Sequence, residues 1–342
     1  MLYRNLFLNL LLSFIPFCLF AQYTPSYVGK DATEKYPYLL PIGAQKIVKL
    51  GNDLPLPVGL MFNYVHQKTE VNTTDLMLSF EEFGTYQDFS WVEFDKARNT
   101  TNVMNIRLDA WLFPFLNIYG IYAHSWTDAN TQVTFPVDIP IHTEPTANTV
   151  GFGGVLAYGF KHYYMALNFN RSYTYSSALT STIKGNIASF RLGRNFNITG
   201  LHKIGLNIGC QYQNFNSYSK GSIDMSKALG FIDTPEVHEV VDQIKTGAAE
   251  FYNNLSKPQQ VIVDRFIEGL QDKIPDPENY PSTLYYTFNK ERVGDWAFLV
   301  GVQYLYSKRM WFRVDYGAGN GYRNLQFTFN YRFAHKLLSH NK

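Results

Sequence analysis

The segment from Arg323 to Phe333 alternates residue by residue between two kinds of side chain. One set is large and apolar: Leu325, Phe327, Phe329, Tyr331 and Phe333. The other set is polar: Asn324, Gln326, Thr328, Asn330 and Arg332. Successive residues of a β-strand point to opposite sides. The segment therefore predicts a strand with one apolar face and one polar face.

The same alternation recurs along most of the chain. It is clear at 101–112, 150–160, 203–213 and 296–306, and weaker at 58–64, 163–170, 188–193 and 312–316. The segment 116–126 also has strand-forming residues, although its two faces cannot be assigned. These segments make about ten candidate strands. Eight or twelve strands stay open, because 218–225 and 283–289 can form an additional hairpin.

The aromatic content is high for a chain of this polarity. Aromatic residues make up 17% of the 342 residues, with 25 Tyr and 27 Phe, yet the mean hydropathy is −0.20. After residue 21 no apolar run approaches the roughly 20 residues of a membrane-spanning helix. A closed antiparallel barrel pairs every backbone group in hydrocarbon with strands of half-apolar sequence. The sequence thus predicts an all-β, antiparallel transmembrane barrel, with a secreted β-sandwich as the soluble alternative.

The first residues predict export. Arg4 precedes a short apolar run that ends at Ala21-Gln22, as in a secretory signal peptide. If the chain is cut there, Cys18 is lost and Cys210 alone remains, which excludes an internal disulfide. With 30 basic and 28 acidic residues, the net charge of +2 does not favour nucleic acid as a partner.

The links between the predicted strands alternate in length. Four links are short, at 113–115, 159–161, 197–201 and 307–309. They alternate with four longer links, at 69–98, 134–148, 176–181 and 216–292. The last link on the side of the longer ones, at 317–321, is short as well. Bacterial barrels have short periplasmic turns and longer outer loops. We therefore divide the chain into a signal peptide (1–21), a periplasmic segment (22–54), the barrel (55–334) and a tail (335–342).

The sequence of the periplasmic segment allows two further structural features. Leu39, Leu40 and Ile42 can tuck into the lower mouth, and residues 47–50 can add a short strand.

The cut-site pattern Phe20-Ala21-Gln22 and the aromatic alternation from Phe327 to Phe333 resemble those of bacterial outer-membrane β-barrel proteins. The terminal strand is similar to the signal read by the barrel-insertion machinery. The resemblance implies a location in the outer membrane of a double-membrane bacterium, among its lipids and lipopolysaccharide. It covers 55–333 and points to no characterised transporter or enzyme family, so it implies no functional residues.

The long outer link 216–292 interrupts the strand pattern with two amphipathic helices. The first begins at Thr234-Pro235 and the second at Ser256, with Gln259 in the capping-box position. Their apolar stripes include Val237, Val241 and Ile244 in the first helix, and Ile262, Phe266 and Leu270 in the second. We expect a helical hairpin near Asn253-Asn254 that covers the mouth. A lid or a partner-binding element is the sharper hypothesis.

The polar faces of the strands predict what fills the barrel. Charge facing lipid at mid-membrane costs about 2–4 kcal/mol for Arg or Lys, so the charged residues should face inward. The predicted lumen set is Arg107, Asp109, Arg191, Gln211, Gln303, Arg313, Asp315, Gln326, Asn330 and Arg332. Arg–Asp pairs in this set predict a largely filled lumen in an envelope-structural or surface-interaction protein. The alternative is a small pore for a limited solute, which the excess of Arg would make anion-favouring.

Signals for catalysis are weak. An outer-membrane hydrolase would need a Ser with a His base, and only His66 and Ser125 form a conceivable cross-strand pair. His124 and Ser125 are neighbours in sequence and therefore point to opposite faces. The scattered His residues and the lone mature Cys give no metal-ligand spacing, and no phosphate-binding loop occurs. We therefore expect neither an enzyme nor a cofactor.

Overall fold

The computed structural model describes residues 35–50, 54–79, 81–135, 139–160, 162–200, 202–224, 249–272 and 283–334. The predicted signal peptide and the tail 335–342 lie outside these residues, and so does the first predicted helix up to residue 248.

In the described residues, ten strands form a closed antiparallel barrel. They are β1 (Val58–Ser79), β4 (Ala97–Phe113), β5 (Leu116–Phe135), β7 (Thr146–Phe160), β8 (Tyr163–Ser176), β9 (Ile183–Thr199), β10 (His202–Phe215), β13 (Trp296–Leu305), β14 (Met310–Gly319) and β15 (Tyr322–Phe333). Pairing of Val58–Thr69 with Tyr322–Phe333 in reverse order closes the barrel. All ten predicted strands are present, so the predicted fold class is confirmed.

The two faces of the wall differ as the alternation predicts. In β13 every second residue, from Ala297 to Leu305, is buried and the residues between them are exposed. The exposed positions in β13 include Trp296, Phe298, Val300 and Val302. Large apolar side chains are similarly exposed on the other barrel strands. This outer surface is the apolar band that a membrane barrel presents to lipid.

In β5, whose faces the sequence left unassigned, Asn117, Tyr119 and Ala123 are buried inside, whereas Tyr122 and Trp126 are exposed outside. The inner face of this strand is thus partly apolar. That is why its sequence alternation is blurred.

Above the long-loop rim the sheet continues. Short strands β2 (Gln87–Asp88), β3 (Glu93–Phe94) and β6 (Ile139–Thr143) pair with the upper parts of β1 and β5. The strands β11 (Tyr218–Asp224) and β12 (Thr283–Arg292) form the additional hairpin that the sequence left open. Because β12 pairs with β1 only from Val71 to Ser79, above the β1–β15 seam, the barrel keeps ten strands.

At the short-turn rim the chain before β1 forms a helix, α1 (Ala44–Lys49). Ala44, Ile47 and Val48 are buried, whereas Leu39 and Ile42 are exposed. The predicted strand at 47–50 is therefore wrong, and so is the tucking of Leu39 and Ile42. Gly43, with a φ of 85°, turns the chain into a helix whose spacing buries Ala44, Ile47 and Val48 together.

On the outer side, α2 (Ala249–Asn254) and α3 (Lys257–Asp272) meet at the predicted turn. Gln259 Oε1 accepts hydrogen bonds from the Ser256 backbone N–H at 2.9 Å and from Ser256 Oγ at 2.8 Å, which places Gln259 in its capping position. Ile262 is buried. Phe266 and Leu270 lie on α3 but their side chains are outside the described residues, as are Val237, Val241 and Ile244. No described helix is long and apolar enough to cross a membrane.

Candidate functional site

The barrel interior contains a cavity of about 310 Å³. Its lining is rich in amide side chains from several strands, among them Asn63, Asn105, Asn168 and Gln213. Eight residues of the predicted lumen set line this cavity: Arg107, Asp109, Arg191, Gln211, Gln303, Arg313, Gln326 and Arg332. The remaining two, Asp315 and Asn330, are buried but are not among the residues that line the cavity.

Near the short-turn end, Asp109 is the centre of a lower cluster. Arg332 Nη1 donates a charged hydrogen bond of 3.0 Å to Asp109 Oδ1. Asn117 Nδ2 donates to the same oxygen at 2.6 Å and Asn117 Oδ1 accepts from Arg107 Nη2 at 2.8 Å. The Arg107 guanidinium also lies 3.6 Å from the centre of the Tyr119 ring. The cluster therefore ties together β15, β4 and β5 on the inside of the barrel.

Asp315 is the centre of an upper cluster. Its Oδ2 lies 2.7 Å from Arg313 Nε on the same strand and 4.0 Å from Arg191 Nη2 on β9. Between β14 and β9 the sheet order places β13 and β10, so the second contact crosses the lumen. Gln213 on β10 donates a further cross-lumen hydrogen bond of 3.0 Å to the Tyr322 hydroxyl on β15.

Two glycines make room for these carboxylates. A Cβ added at Gly59 would lie 2.7 Å from Asp109 Oδ2 and 2.8 Å from Arg332 Nη1. A Cβ added at Gly301 would collide with Asp315 Oδ1. Each acidic side chain therefore passes over a neighbouring strand at a position without a side chain, and this gap lets it reach its arginine.

The uncharged residues of the predicted set differ in their surroundings. Gln326 Nε2 donates to Asn63 Oδ1 at 3.2 Å and to Thr328 Oγ1 at 3.1 Å. Gln303 is buried and lines the cavity. Asn330 is fully buried, and among the described residues its amide has no hydrogen-bond partner.

Aromatic and apolar lumen residues were missed by the sequence analysis. Tyr119 donates to Asn168 Oδ1 at 2.6 Å, and Met61, Leu305 and Trp311 form a buried apolar cluster near the short-turn rim. Alternation treats apolar residues as lipid-facing, so it assigns such positions poorly. Trp111 is an exception. The alternation in β4 places it on the same face as Arg107 and Asp109, and the structure shows that it is buried there.

The segment before β1 is hydrogen-bonded to the barrel at the short-turn rim. The Ile42 backbone N–H donates to the Leu112 carbonyl at 2.8 Å, and the Trp111 N–H donates to the Pro57 carbonyl at 2.9 Å. Arg332 Nε donates to the Leu56 carbonyl at 2.9 Å, which links the lower cluster to the same segment. These hydrogen bonds tie the segment before β1 to β4 and β15 at the short-turn rim, and Ala44, Ile47 and Val48 of α1 are buried.

His66 and Ser125 do not form a catalytic pair. His66 Nδ1 lies 2.9 Å from Asn102 Oδ1 on the outer face, whereas the Ser125 hydroxyl donates to the Ala147 carbonyl at 3.4 Å. In β1 and β5 the two side chains belong to opposite faces of the wall.

Pairing of β5 with β6 gathers Asp128, His142 and Glu144 in a solvent-exposed group whose ligand atoms lie within 4.8 Å of one another. Asp128 is distant in the sequence from His142 and Glu144, so the sequence alone does not indicate the group.

The closed barrel with its apolar outer band is the architecture of bacterial outer-membrane proteins. No protein-family model and no curated protein sequence matches the chain. Among solved structures it is similar to the translocator domain of the autotransporter NalP from Neisseria meningitidis, with 7% identity and a TM-score of 0.36 over 82% of this chain and 90% of that one. It is also similar to OprG from Pseudomonas aeruginosa, with 8% identity and a TM-score of 0.35 over 82% of this chain and 98% of that one.

Proposed function

We propose that this outer-membrane β-barrel is a non-conducting envelope protein whose closed lumen supports a surface platform. The platform consists of the upper part of β1, the β11–β12 hairpin and the helices α2 and α3. The observation that carries the proposal is the pair of Arg–Asp clusters inside the barrel.

The charged clusters support a closed lumen because they join walls that an open pore would keep apart. The contact between Arg191 and Asp315 and the hydrogen bond between Gln213 and Tyr322 both reach across intervening strands. A ten-stranded barrel is only slightly wider than the eight-stranded barrels that side chains fill. The same groups hold the wall rigid, which suits a scaffold.

The short-turn mouth supports the same proposal. Ile47 and Val48 are buried on α1, and the backbone of residues 42 and 56 is hydrogen-bonded to β4 and β15. A solute that passed through the lumen would have to displace this segment as well as the lower cluster.

Single-channel recording in planar lipid bilayers tests the proposal. The purified wild-type protein should give no sustained current, whereas Arg313→Ala together with Arg191→Ala should produce steps by removing the cross-lumen contact. Arg323→Ala is the matched control, because Arg323 is exposed on the outside of β15, and it should stay silent. Steady conductance by the wild-type protein would contradict the proposal.

A small anion-favouring pore is the second candidate, because the predicted lumen set contains four Arg and two Asp, and all four Arg line the cavity of about 310 Å³. Rings of Arg favour anions in pores. This candidate requires wild-type current with a reversal potential set by the anion gradient. The first candidate requires the current to appear only in the Arg191 and Arg313 variants.

A further inference from the structure

One sector of the barrel wall lacks carboxylates. Between Glu144 and Asp224 the sequence has no Asp and no Glu, and this stretch includes the four barrel strands β7 to β10. The same stretch carries these basic residues: Lys161, Arg171, Lys184, Arg191, Arg194, Lys203 and Lys220. A positive charge on the outside of this sector therefore has no carboxylate from its own strands to balance it.

Two arginines bracket the apolar band on the outer face of this sector. Met165 and Phe169 on β8 and Leu192 on β9 are exposed between them. Arg194 is paired in register with Tyr163 at the short-turn end of β8, and Arg171 lies eight residues further up the strand. At about 3.3 Å per residue and a tilt of about 40°, this separation is about 20 Å of height, close to the roughly 25 Å of an outer-membrane apolar band. Arg171 therefore lies at the outer lipid boundary.

Arg171 is held in a row of polar side chains along this boundary. Its Nη1 donates to Asn186 Oδ1 at 2.7 Å, and Asn186 Nδ2 donates to Asn214 Oδ1 at 3.1 Å. The row therefore crosses β8, β9 and β10 and presents one guanidinium that is fixed in place by an uncharged partner.

Lys184 adds a second cation beside this row. It is exposed and is paired in register with Tyr173, two residues above Arg171 on the same face. Diagonal neighbours across a sheet are within reach of long side chains. In the part of the chain that the structure describes, neither Arg171 nor Lys184 makes an ion pair with a carboxylate.

We propose that Arg171, Lys184, Asn186 and Asn214 form a binding site for the phosphate of an anionic glycolipid in the outer leaflet. The occupant must be a lipid, because the site borders the apolar band, and an anion, because the site has two cations. Arginine and amide side chains donate the hydrogen bonds that phosphate oxygens accept. Tyr212 and Trp296, whose rings are 5.2 Å apart, continue the same rim as interfacial aromatics.

The opposite wall lacks this arrangement and supplies a control. Lys68 and Arg323 are cross-strand neighbours at the same rim, but Glu70 follows Lys68 on the same face. A phosphate there would meet a carboxylate.

Native mass spectrometry of the full-length, detergent-purified protein tests the site. The probe is an acylated disaccharide that carries a phosphate on each sugar, and its phosphate-free counterpart is the comparison. Wild type should retain the phosphorylated lipid in preference. The double variant Arg171→Gln/Lys184→Gln should weaken that retention about tenfold or more, whereas Arg323→Gln should leave it unchanged.

Heat-modifiable gel mobility confirms that each variant is folded before binding is compared. Equal retention of the phosphate-free lipid, or unchanged retention by the folded double variant, would overturn the proposal. Complete displacement of the lipid by inorganic phosphate at equal concentration would also overturn it, because the site would then be one for the free anion. Retention that falls as salt is raised supports it.

Discussion

Arg332 Nη1 lies 3.0 Å from Asp109 Oδ1 although β1 separates their strands. Gly59 on β1 is in register with both residues and leaves the gap through which they meet. The contact between β15 and β4 inside the barrel therefore depends on one buried ion pair and on one residue without a side chain.

The ion pair makes Asp109 a sensitive position. Asp109→Ala would leave Arg332 buried without its charged partner, and removal of one member of a buried pair costs about 3–5 kcal/mol. Urea unfolding of the reconstituted protein should show a loss of that size. The double variant Asp109→Ala/Arg332→Met should recover part of the loss. If the double variant is as unstable as the single one, the pair does not carry the effect.

The upper cluster predicts a contrast between two glycines. Gly301→Ala would push a methyl group against Asp315, and overpacking of this kind costs about 1–3 kcal/mol. Gly120→Ala is the control, because a Cβ there would have no atom within 4 Å. Unfolding in urea should separate the two variants by at least about 1 kcal/mol. Equal stability of both would contradict the close approach of Asp315 to β13.

We expect the buried face of α1 to hold the segment before β1 at the short-turn mouth of the barrel. Val48→Asp places a charge on the buried face of α1 and should release the segment from the mouth, with the barrel still folded. Lys46→Asp, on the exposed side of the same helix, should leave the segment in place. Protease cleavage between residues 35 and 54 should accelerate only in Val48→Asp. Equal cleavage of the two variants would show that α1 is not held by its buried face.

The outer loop that contains Asp88 should lose stability at acidic pH. The Ser90 backbone N–H donates to Asp88 Oδ1 at 2.8 Å, and this bond lowers the pKa of Asp88. A lowered pKa means that the stabilisation is complete above the ordinary value of about 3.9 and is lost as the pH falls below it. Gln259 on α3 donates to the Asp88 carbonyl, so the loop and the helix share this turn.

Limited proteolysis by an acid-active protease measures this response. Cleavage of the wild-type loop should rise as the pH falls through the acidic range, whereas Asp88→Ala, which has no acceptor for the Ser90 N–H, should be cleaved readily at every pH. A wild-type profile that matches the Ala variant would contradict the role of Asp88.

The sequence predicts the strands of the barrel wall better than the side-chain contacts inside the lumen. In β13 and β15 lipid outside and polar groups inside impose strict alternation, so the predicted segments 296–306 and 323–333 nearly match the observed Trp296–Leu305 and Tyr322–Phe333. The upper part of β1 lacks this strict alternation in its burial pattern, and its extension to Ser79 was not predicted.

Which inward-facing side chains contact one another depends on the register between strands and on the length of the side chains. The alternation places Arg191 and Asp315 inside, but it does not say that β9 and β14 meet across two other strands. The α1 segment was mistaken for a strand because four residues of mixed character fit either period.

Accessibility of spin labels at two positions on opposite faces of β10 tests the central claim most directly. A label on Cys210 should point into lipid, so it should be relaxed strongly by oxygen and weakly by a water-soluble nickel complex. A label on Gln213→Cys, in a Cys210→Ser background, should point into the lumen and be shielded from oxygen in the lipid. Equal oxygen accessibility at both positions, or strong nickel access at Cys210, would contradict a lipid-facing barrel wall with a closed polar interior.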